Sequence, residues 1–566
     1  MMGFFTRFLA TLLTIVIIFV LAYIGLAYYL GIKAEESINN EIAVLSDSKL
    51  FKVDEYHYDR GWFKSKAMAK VSIANDILKV IRIDRFPEVL KKVLTQPITF
   101  HTTVKHGPFV NKLFLRAYAT TDVHFEKEAE KEIIKFFSVK NPFKIEDMIQ
   151  LNGAGTLDFS LNTMKYEELS GIQIKFDGLR GQLDYKRNYR EHTWNINIPK
   201  FYMKLADKGG VVLSGLNYKS TNYPNQSSID TGLIELTFDK LVVSTKLDDK
   251  VNLNLSDMLG ASLNIKLNTI FDPKLSFEVS DLKINQFLLR TDITQENDLV
   301  KMEGELSVNL FNLNNDAYGP LIFKISADHI HGPSLKLLKD YLADLTNQPL
   351  RLDEWQDKLL AYIRGPASGL FTANPEFNIK QISLRTPDGD VRVVGSMKFE
   401  GLNVSDLSDF NALLHKSKAG FDYSLPENLV VNILENQVIS LLITDQEVIS
   451  EQDMKNVLQA TKYLVKGFIN SYASMNYINF VNGIISGSVR LEQGRMYLNG
   501  IEYQKNEMDI DNIYSEEDEK LLQEEILPRD NAITDESPSL PGSLDGGDAN
   551  KKENHDTSQN LELFSR

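Results

Sequence analysis

Residues 98–105 read Ile-Thr-Phe-His-Thr-Thr-Val-Lys, and the alternation in that stretch decides the fold class. Ile98, Phe100, Thr102 and Val104 fall on one side; Thr99, His101, Thr103 and Lys105 fall on the other. A period of two sends successive side chains to opposite faces of a strand, so one face is dry and one is wet, as in an antiparallel sheet. The same rule governs Leu157/Phe159/Leu161, Trp194/Ile196/Ile198, Ile234/Leu236/Phe238, Val251/Leu253/Leu255, Leu263/Ile265/Leu267, Leu275/Phe277/Val279 and Leu306/Val308/Leu310. Gly, Asn and Asp turns separate these runs. Asp388-Gly389 marks a hairpin, and Gln493-Gly494 marks another between Gly487–Glu492 and Arg495–Asn499.

Helical spacing is confined to Glu126–Val139, Ser334–Thr346, Arg351–Ile363 and Ser450–Ser471, with Pro349 breaking the middle pair. In the last of these, Met454, Val457, Leu458, Thr461, Leu464, Val465 and Phe468 form an i, i+3, i+4 stripe that predicts packing on a sheet. The expected class is mostly β (α+β): an elongated antiparallel β domain with a few packing helices.

Phe8 to Leu30 (FLATLLTIVIIFVLAYIGLAYYL) carries no charge over 23 residues. At helical rise it spans roughly 35 Å, more than the ~30 Å hydrocarbon core. Its length, and the Tyr-Tyr-Leu that follows Gly25-Leu26-Ala27, favour an uncleaved anchor over a signal peptide. Arg7 precedes the run and a large domain follows it, which predicts a cytoplasmic N-terminus and an exported domain. In a bacterium that is the inner membrane and the periplasm. A short polar helix is expected over Ala34–Ser46. The expected organisation is an anchor (1–32), a β-rich region (33–330), a β/α region closing in the hairpin (331–506) and an acidic tail (507–566).

The net charge of −15 is a property of the tail. Residues 507–548 hold fourteen Asp and Glu against Lys520 and Arg529. That segment reads as disordered and solvating, with one short helix over Glu516–Leu527. The nearly neutral remainder has no basic footprint for nucleic acid. With no cysteine, disulfides, thiolate metal sites and a cysteine nucleophile are all excluded.

No nucleophile elbow, phosphate-binding loop, zinc-protease motif or dinucleotide fingerprint is present. His329 and His331 would share one face of a strand, with Asp328 on the other, but no third metal ligand is visible, so no metal or cofactor is predicted. His-Gly-Pro occurs twice, at 106–108 and 331–333, and reads as a strand-ending turn used twice, a hint of internal duplication. Tyr56, Tyr58, Trp62 and Phe63 crowd one segment, where they would either bury or line an apolar groove, with core packing the default expectation.

Several short elements, in order, resemble the YdgA-like proteins of Gram-negative envelopes, a family of unknown function. They are Tyr58, Arg60, Gly61, Phe63 and Ser65 after the anchor; His106, Gly107, Pro108 and Phe109; Gly365 to Leu384; and the closing Asn499-Gly500. The resemblance implies inner-membrane attachment, a periplasmic domain and a mostly β fold. It supplies no catalytic residues, and it leaves these positions with structural roles.

A long one-sided sheet must cover its dry face with its own helices, a second copy of the chain, or an apolar ligand. The leading expectation is therefore a non-enzymatic envelope protein that binds a lipid-like molecule or a protein partner. The alternatives are an envelope hydrolase built on His106, His331 and Asp328, and an adaptor of a secretion or motility complex.

Overall fold

The computed structural model describes residues 2–47, 51–80, 88–189, 191–223, 231–245, 251–254, 276–279, 281–313, 316–345, 352–432 and 451–503, with the single positions 83, 229 and 348. The strand expected at Leu263–Leu267 and the acidic tail with its short helix lie outside them.

The chain opens with one helix, α1 (Met2–Asp47). It is the one helix, among the described residues, long and apolar enough to cross a membrane. It does not stop at the end of the apolar run. The helix expected at Ala34–Ser46 is the last part of α1, because no glycine-proline break or capping signal interrupts Leu30 to Ala34. Ala27, Leu30, Ala34, Ser37 and Ile38 are buried along one side, an i, i+3, i+4 stripe that crosses from the apolar run into the polar one.

The first strands are β1 (Phe51–Asp59) and β2 (Lys64–Ile73), followed by the short helices α2 (Asn75–Val80) and α3 (Glu88–Leu94). Then come β3 (Ile98–His106), β4 (Ala117–Phe125), α4 (Lys127–Phe137), β5 (Phe143–Ile149) and β6 (Gly155–Leu161). Next are β7 (Met164–Glu167), β8 (Ile172–Phe176), β9 (Leu179–Tyr185), β10 (His192–Leu205), β11 (Gly209–Tyr223) and β12 (Thr231–Thr245). A detached hairpin, β13 (Val251–Asn254) with β14 (Ser276–Val279), precedes β15 (Asp281–Glu296), β16 (Leu299–Leu313), β17 (Asp316–Tyr318) and β18 (Leu321–His331). Helices α5 (Gly332–Leu345), α6 (Leu352–Arg364) and α7 (Gly369–Thr372) lead to β19 (Glu376–Thr386) and β20 (Gly389–Phe399). The chain continues through α8 (Phe410–His415), β21 (Ser417–Pro426), α9 (Glu451–Ser474), β22 (Asn479–Val481), β23 (Ile484–Glu492), β24 (Arg495–Leu498) and β25 (Ile501–Glu502).

Apart from β13 and β14, the strands of the described residues form one antiparallel sheet of 23. Neighbours in the sheet are mostly neighbours in the chain. β1 to β6 pair in sequence, β9 closes on β6, and β10 lies along β9 with its first half and β8 with its second. β11, β12, β15, β16, β18, β19, β20, β21, β23 and β24 follow. This is the one-sided antiparallel architecture that the alternation at 98–105 predicts. The hairpin at Asp388-Gly389 forms one residue early, with Thr386 opposite Gly389 and Pro387-Asp388 at the tip.

Register carries the dry face from end to end. One row of directly opposed residues runs Tyr58–Ala67–Thr102–Thr121–Ile145–Phe159. It continues through Gly181 and Ile196 to Tyr218, Leu236, Leu289, Leu306, Phe323, Ile382, Val393 and Tyr423. The other face carries cross-strand ion pairs such as Lys324–Glu305 (3.0 Å) and Lys380–Glu303 (3.0 Å).

Of the helices that enter buried clusters, α1 and α9 sit towards the two ends of the row, and α5 and α7 sit to one side of it, over the ends of β16 and β18. α1 places Ala34 and Ile38 on Ala67, Val104, Ala117, Ala119 and Ile149. α5 and α7 cover Val300 and Ile330, and α9 covers Ile485 with Val465 and Ile469. The expected α9 stripe is turned slightly: Leu464 is exposed and Ile469 takes its place against the sheet.

A crease crosses the long middle strands at Pro199, Gly215, Asp239, Gln286 and Asn309, where ladder pairing lapses without a change of register. Gly215 and Gln286 have left-handed backbone there (φ 67° and 52°). A side chain at 215 would collide with the Asp239 carboxylate, so glycine is required. The crease also spoils the alternation expected at Leu306/Val308/Leu310: Val308 is buried while Leu310 is exposed.

Candidate functional site

The family-like residues of the first half converge where α1 leaves its apolar run. The β1–β2 turn (Arg60 to Phe63) and the β3–β4 loop (Gly107 to Arg116) form a cradle, and α1 lies in it. His106 is the pivot. It ends β3 on the dry face, 3% exposed, with Ser65 (1% exposed) beside it on β2. Its Nδ1 lies 3.1 Å from the Ala27 carbonyl of α1, and its Nε2 lies 3.0 Å from Ser65 Oγ. The Gly61 amide donates to the same hydroxyl at 3.3 Å.

These contacts fix the proton positions. A carbonyl only accepts, so Nδ1 carries the proton and Nε2 accepts from the Ser65 hydroxyl. The chain of donors then runs Gly61 N–H to Ser65 O–H to the imidazole to Ala27. Burial pushes the His106 pKa down, against the carbonyl bond that would raise it, which keeps the ring neutral.

Small residues let the helix come close. A Cβ on Gly31 would stand 2.6 Å from His106 Cε1, and one on Gly61 would run into the Lys64 carbonyl. Gly107, with φ 145°, leaves only 3.7 Å between its Cβ position and the Ala27 methyl. The His106 amide donates to the Phe63 carbonyl at 3.0 Å, which ties the two loops together.

Around this pivot α1 is pinned by side chains. Arg60 pairs with Glu35 at 2.9 Å and lies over the Tyr28 ring at 5.5 Å. Tyr56 donates to Asn39 Oδ1 at 2.6 Å, and Tyr58 packs on the α1 cluster. Tyr56 and Tyr58 are thus core residues, as expected; Trp62 and Phe63 are not, for both are exposed beside Tyr28 and Tyr23. Phe109 meets Phe114 edge to face at 4.4 Å.

Three further groups carry no sequence signal strong enough to find. Arg116 is buried and donates to Ser37 Oγ (3.0 Å) on α1 and to the Leu151 carbonyl (2.9 Å); burial lowers its pKa. Gly31 is recognisable only in hindsight, from the stripe it shares with Ala27, Leu30 and Ala34. Asp147 on β5 accepts from the Tyr185 hydroxyl at 2.9 Å, and desolvation lifts its pKa to about 7.

Asn499 and Gly500 lie elsewhere, at the tip between β24 and β25, both with positive φ. The Asn499 side-chain Oδ1 accepts from the Ser488 amide at 2.9 Å, which locks the closing hairpin. The second His-Gly-Pro is not the turn expected: Gly332 and Pro333 open α5 directly, and what it shares with the first is a strand-ending histidine against a helix glycine. His331 ends β18, its Nδ1 lies 2.8 Å from Ser334 Oγ, and a Cβ on Gly369 of α7 would stand 2.7 Å from the ring. His329 has left-handed backbone (φ 58°), so it and His331 do not follow strand alternation, and the described residues hold no cluster of three metal-ligating side chains.

Chemically, the cradle clamps a helix. Ser65 and His106 have the spacing of a nucleophile and base, but both are sealed under α1. Two concave regions of about 400 and 390 Å³, one along the crease and one beside α4, have no histidine on their walls.

A bacterial family described only as a protein of unknown function (DUF945) matches residues 9–504. The chain belongs to that family. The match takes in α1, the cradle and the closing hairpin, and ends before the acidic tail. No curated protein and no solved structure matches the chain.

Proposed function

We propose that this bacterial protein is a YdgA-like, non-enzymatic envelope protein whose sheet holds lipid-like apolar molecules next to the membrane that anchors it. Phe8–Leu30 spans the inner membrane with the N-terminus in the cytoplasm, and the β domain stands in the periplasm. The observation that carries this reading is the dry face between the helix-covered ends. Among the described residues it runs without interruption through Leu236, Leu289, Leu306, Phe323 and Ile382. No described helix contributes to a buried cluster on that central row. Ile325 (39% exposed) and Phe377 (40%) stand open on the same face. An apolar strip of this length demands a cover, and its continuity with the anchored end makes acyl chains the occupant at hand. The sealed Ser65–His106 pair weighs against the hydrolase alternative.

The test is extraction of the full chain in mild detergent, followed by mass spectrometry of what accompanies it. A reproducible phospholipid or glycolipid, lost in Ile325→Asp and Phe377→Asp, is the expected result. These positions are exposed, so the variants should fold. A clean protein carrying a stoichiometric protein partner instead would replace the lipid reading with a docking one.

A further inference from the structure

We propose that the β1–β2 turn and the β3–β4 loop dip into the bilayer beside α1, and that they recognise an anionic phospholipid surface. This inference rests on α1 spanning the membrane and is independent of what the dry face binds.

Three observations meet at this place. The first is apolar exposure. Trp62 is 61% and Phe114 67% exposed, and Phe63, Phe109 and Leu113 are exposed with them. Isolated apolar side chains on a surface need no explanation, but five on two adjoining loops form a patch that water does not favour. They are not tips awaiting a packing partner in the fold, for the loop that presents three of them is closed on itself. Val110 and Leu113 exchange backbone hydrogen bonds (3.0 and 2.9 Å) across a turn in which Asn111 and Lys112 both have positive φ. That turn is rigid and holds the aromatic pair Phe109–Phe114 outward.

The second observation is position. The patch touches α1 within its apolar run. Phe63 stacks near Tyr23 (6.4 Å), Trp62 near Tyr28 (5.0 Å), and a Cβ on Gly107 would stand 3.7 Å from Ala27 and 3.9 Å from the Tyr23 hydroxyl. Tyr23 lies seven residues before Leu30, roughly 10 Å along the helix axis. If Phe8–Leu30 crosses the membrane, the loops reach the headgroup–acyl boundary, where Trp and Tyr rings are most at home and where interfacial elements bury ~5–10 Å.

The third observation is charge. Lys64 and Lys105 stand directly opposite each other on β2 and β3, just above the patch. Like charges in that arrangement repel. Neither has an ion-pair partner among the described residues, and Lys112 at the loop tip has none either. Of the carboxylates beside the cradle, Glu35 is paired with Arg60, and Asp59 stands opposite Lys66 in the β1–β2 ladder. An anionic headgroup layer supplies the missing counter-charge, as basic residues flanking a buried apolar face commonly use it.

The chain has no cysteine, so single thiols report cleanly. Phe114→Cys and Leu113→Cys, labelled with an environment-sensitive nitrobenzoxadiazole dye in the otherwise intact chain, are reconstituted into phosphatidylglycerol/phosphatidylcholine vesicles. Lipids brominated near the glycerol end of the acyl chain should quench both, with blue-shifted emission. A Leu169→Cys label, on a remote exposed loop, should be neither shifted nor quenched. A Phe19→Cys label on α1 should be quenched by deeply brominated lipids. Lys64→Glu with Lys105→Glu should abolish the stronger quenching in phosphatidylglycerol than in pure phosphatidylcholine. If position 19 reports lipid while 113 and 114 report water, the loops stay out of the bilayer and the proposal is overturned. If position 19 also reports water, the anchor itself is refuted. Quenching at 113 and 114 that ignores lipid charge and the lysine reversals would overturn the anionic preference.

Discussion

At the level of single residues, the docking of α1 depends on groups too small or too well hidden to tolerate change. Gly31 faces the His106 ring with no room for a side chain. Gly31→Leu should therefore lower stability by about 1–3 kcal/mol, in the range of overpacked cores, and a thermal melt of the detergent-solubilised chain will register it. Ser65→Ala removes the hydroxyl that serves both Gly61 and His106. It leaves a buried acceptor and donor without partners, which costs about 1–3 kcal/mol, and His106→Ala in the same background should cost more again, because it removes a buried ring and leaves the Ala27 carbonyl without its donor. The His106 ring is neutral in the fold, with its pKa held below the ordinary value near 6.5. A depressed imidazole pKa contributes stability that is present above that ordinary value and is lost as pH falls through the folded one. Melts between about pH 7.5 and 4.5 should show the wild-type losing stability that His106→Gln does not lose.

Elements behave differently because their strength comes from repeated register. The meander is mostly local in sequence, so each strand's alternation is enough to place it beside its neighbour. Two places break that simplicity. At the crease, Gly215→Ala introduces a Cβ against Asp239 at a positive φ, and should destabilise β10 to β12 by a few kcal/mol. Hydrogen exchange should locate the loss in those strands rather than in the cradle. Between α1 and the sheet, Asp147 has its carboxyl buried against Tyr185 with a pKa of about 7. A raised carboxyl pKa means that folding favours the protonated form. The stabilisation is complete below the ordinary value near 4 and is lost as pH climbs through about 7. Asp147→Asn keeps the acceptor and removes the charge. It should stabilise the fold at about pH 8, by at most ~4 kcal/mol, and change little at about pH 4, which thermal melts at the two pH values will check.

For the molecule as a whole, the consequence of a continuous α1 is mechanical. With its apolar run in a bilayer, as proposed, a helix that continues straight into a buried cluster would hold the first strands at a fixed height above the membrane, where a flexible linker would not. Gly31 on α1, with Gly61, Ser65 and His106 beneath it, makes that connection close. The His331 site repeats the use of a strand-ending histidine under a helix glycine at α7, so the same device secures helices to the dry face twice. Between the two, the face is left to whatever covers it, and the lipid and docking readings differ in a single extraction experiment.

Alternation, periodicity and composition by themselves determined the antiparallel sheet, the apolar N-terminal helix, most packing helices and the closing hairpin. These are local properties: a period of two or 3.6 is written in neighbouring residues and survives in any tertiary context. The short motifs around Tyr58 and His106 were legible as landmarks, but not as one object, because forty residues separate Ser65 from the histidine it touches. Trp62 and Phe63 read as core residues and proved exposed, since an aromatic residue looks the same in sequence whether protein or membrane is to cover it. Only the tertiary structure showed that α1 continues through the polar boundary, that Gly31, Arg116 and Asp147 belong to its seat, and that a crease interrupts the middle strands. Each of those depends on close approach between distant segments, and no single stretch of sequence encodes a distance.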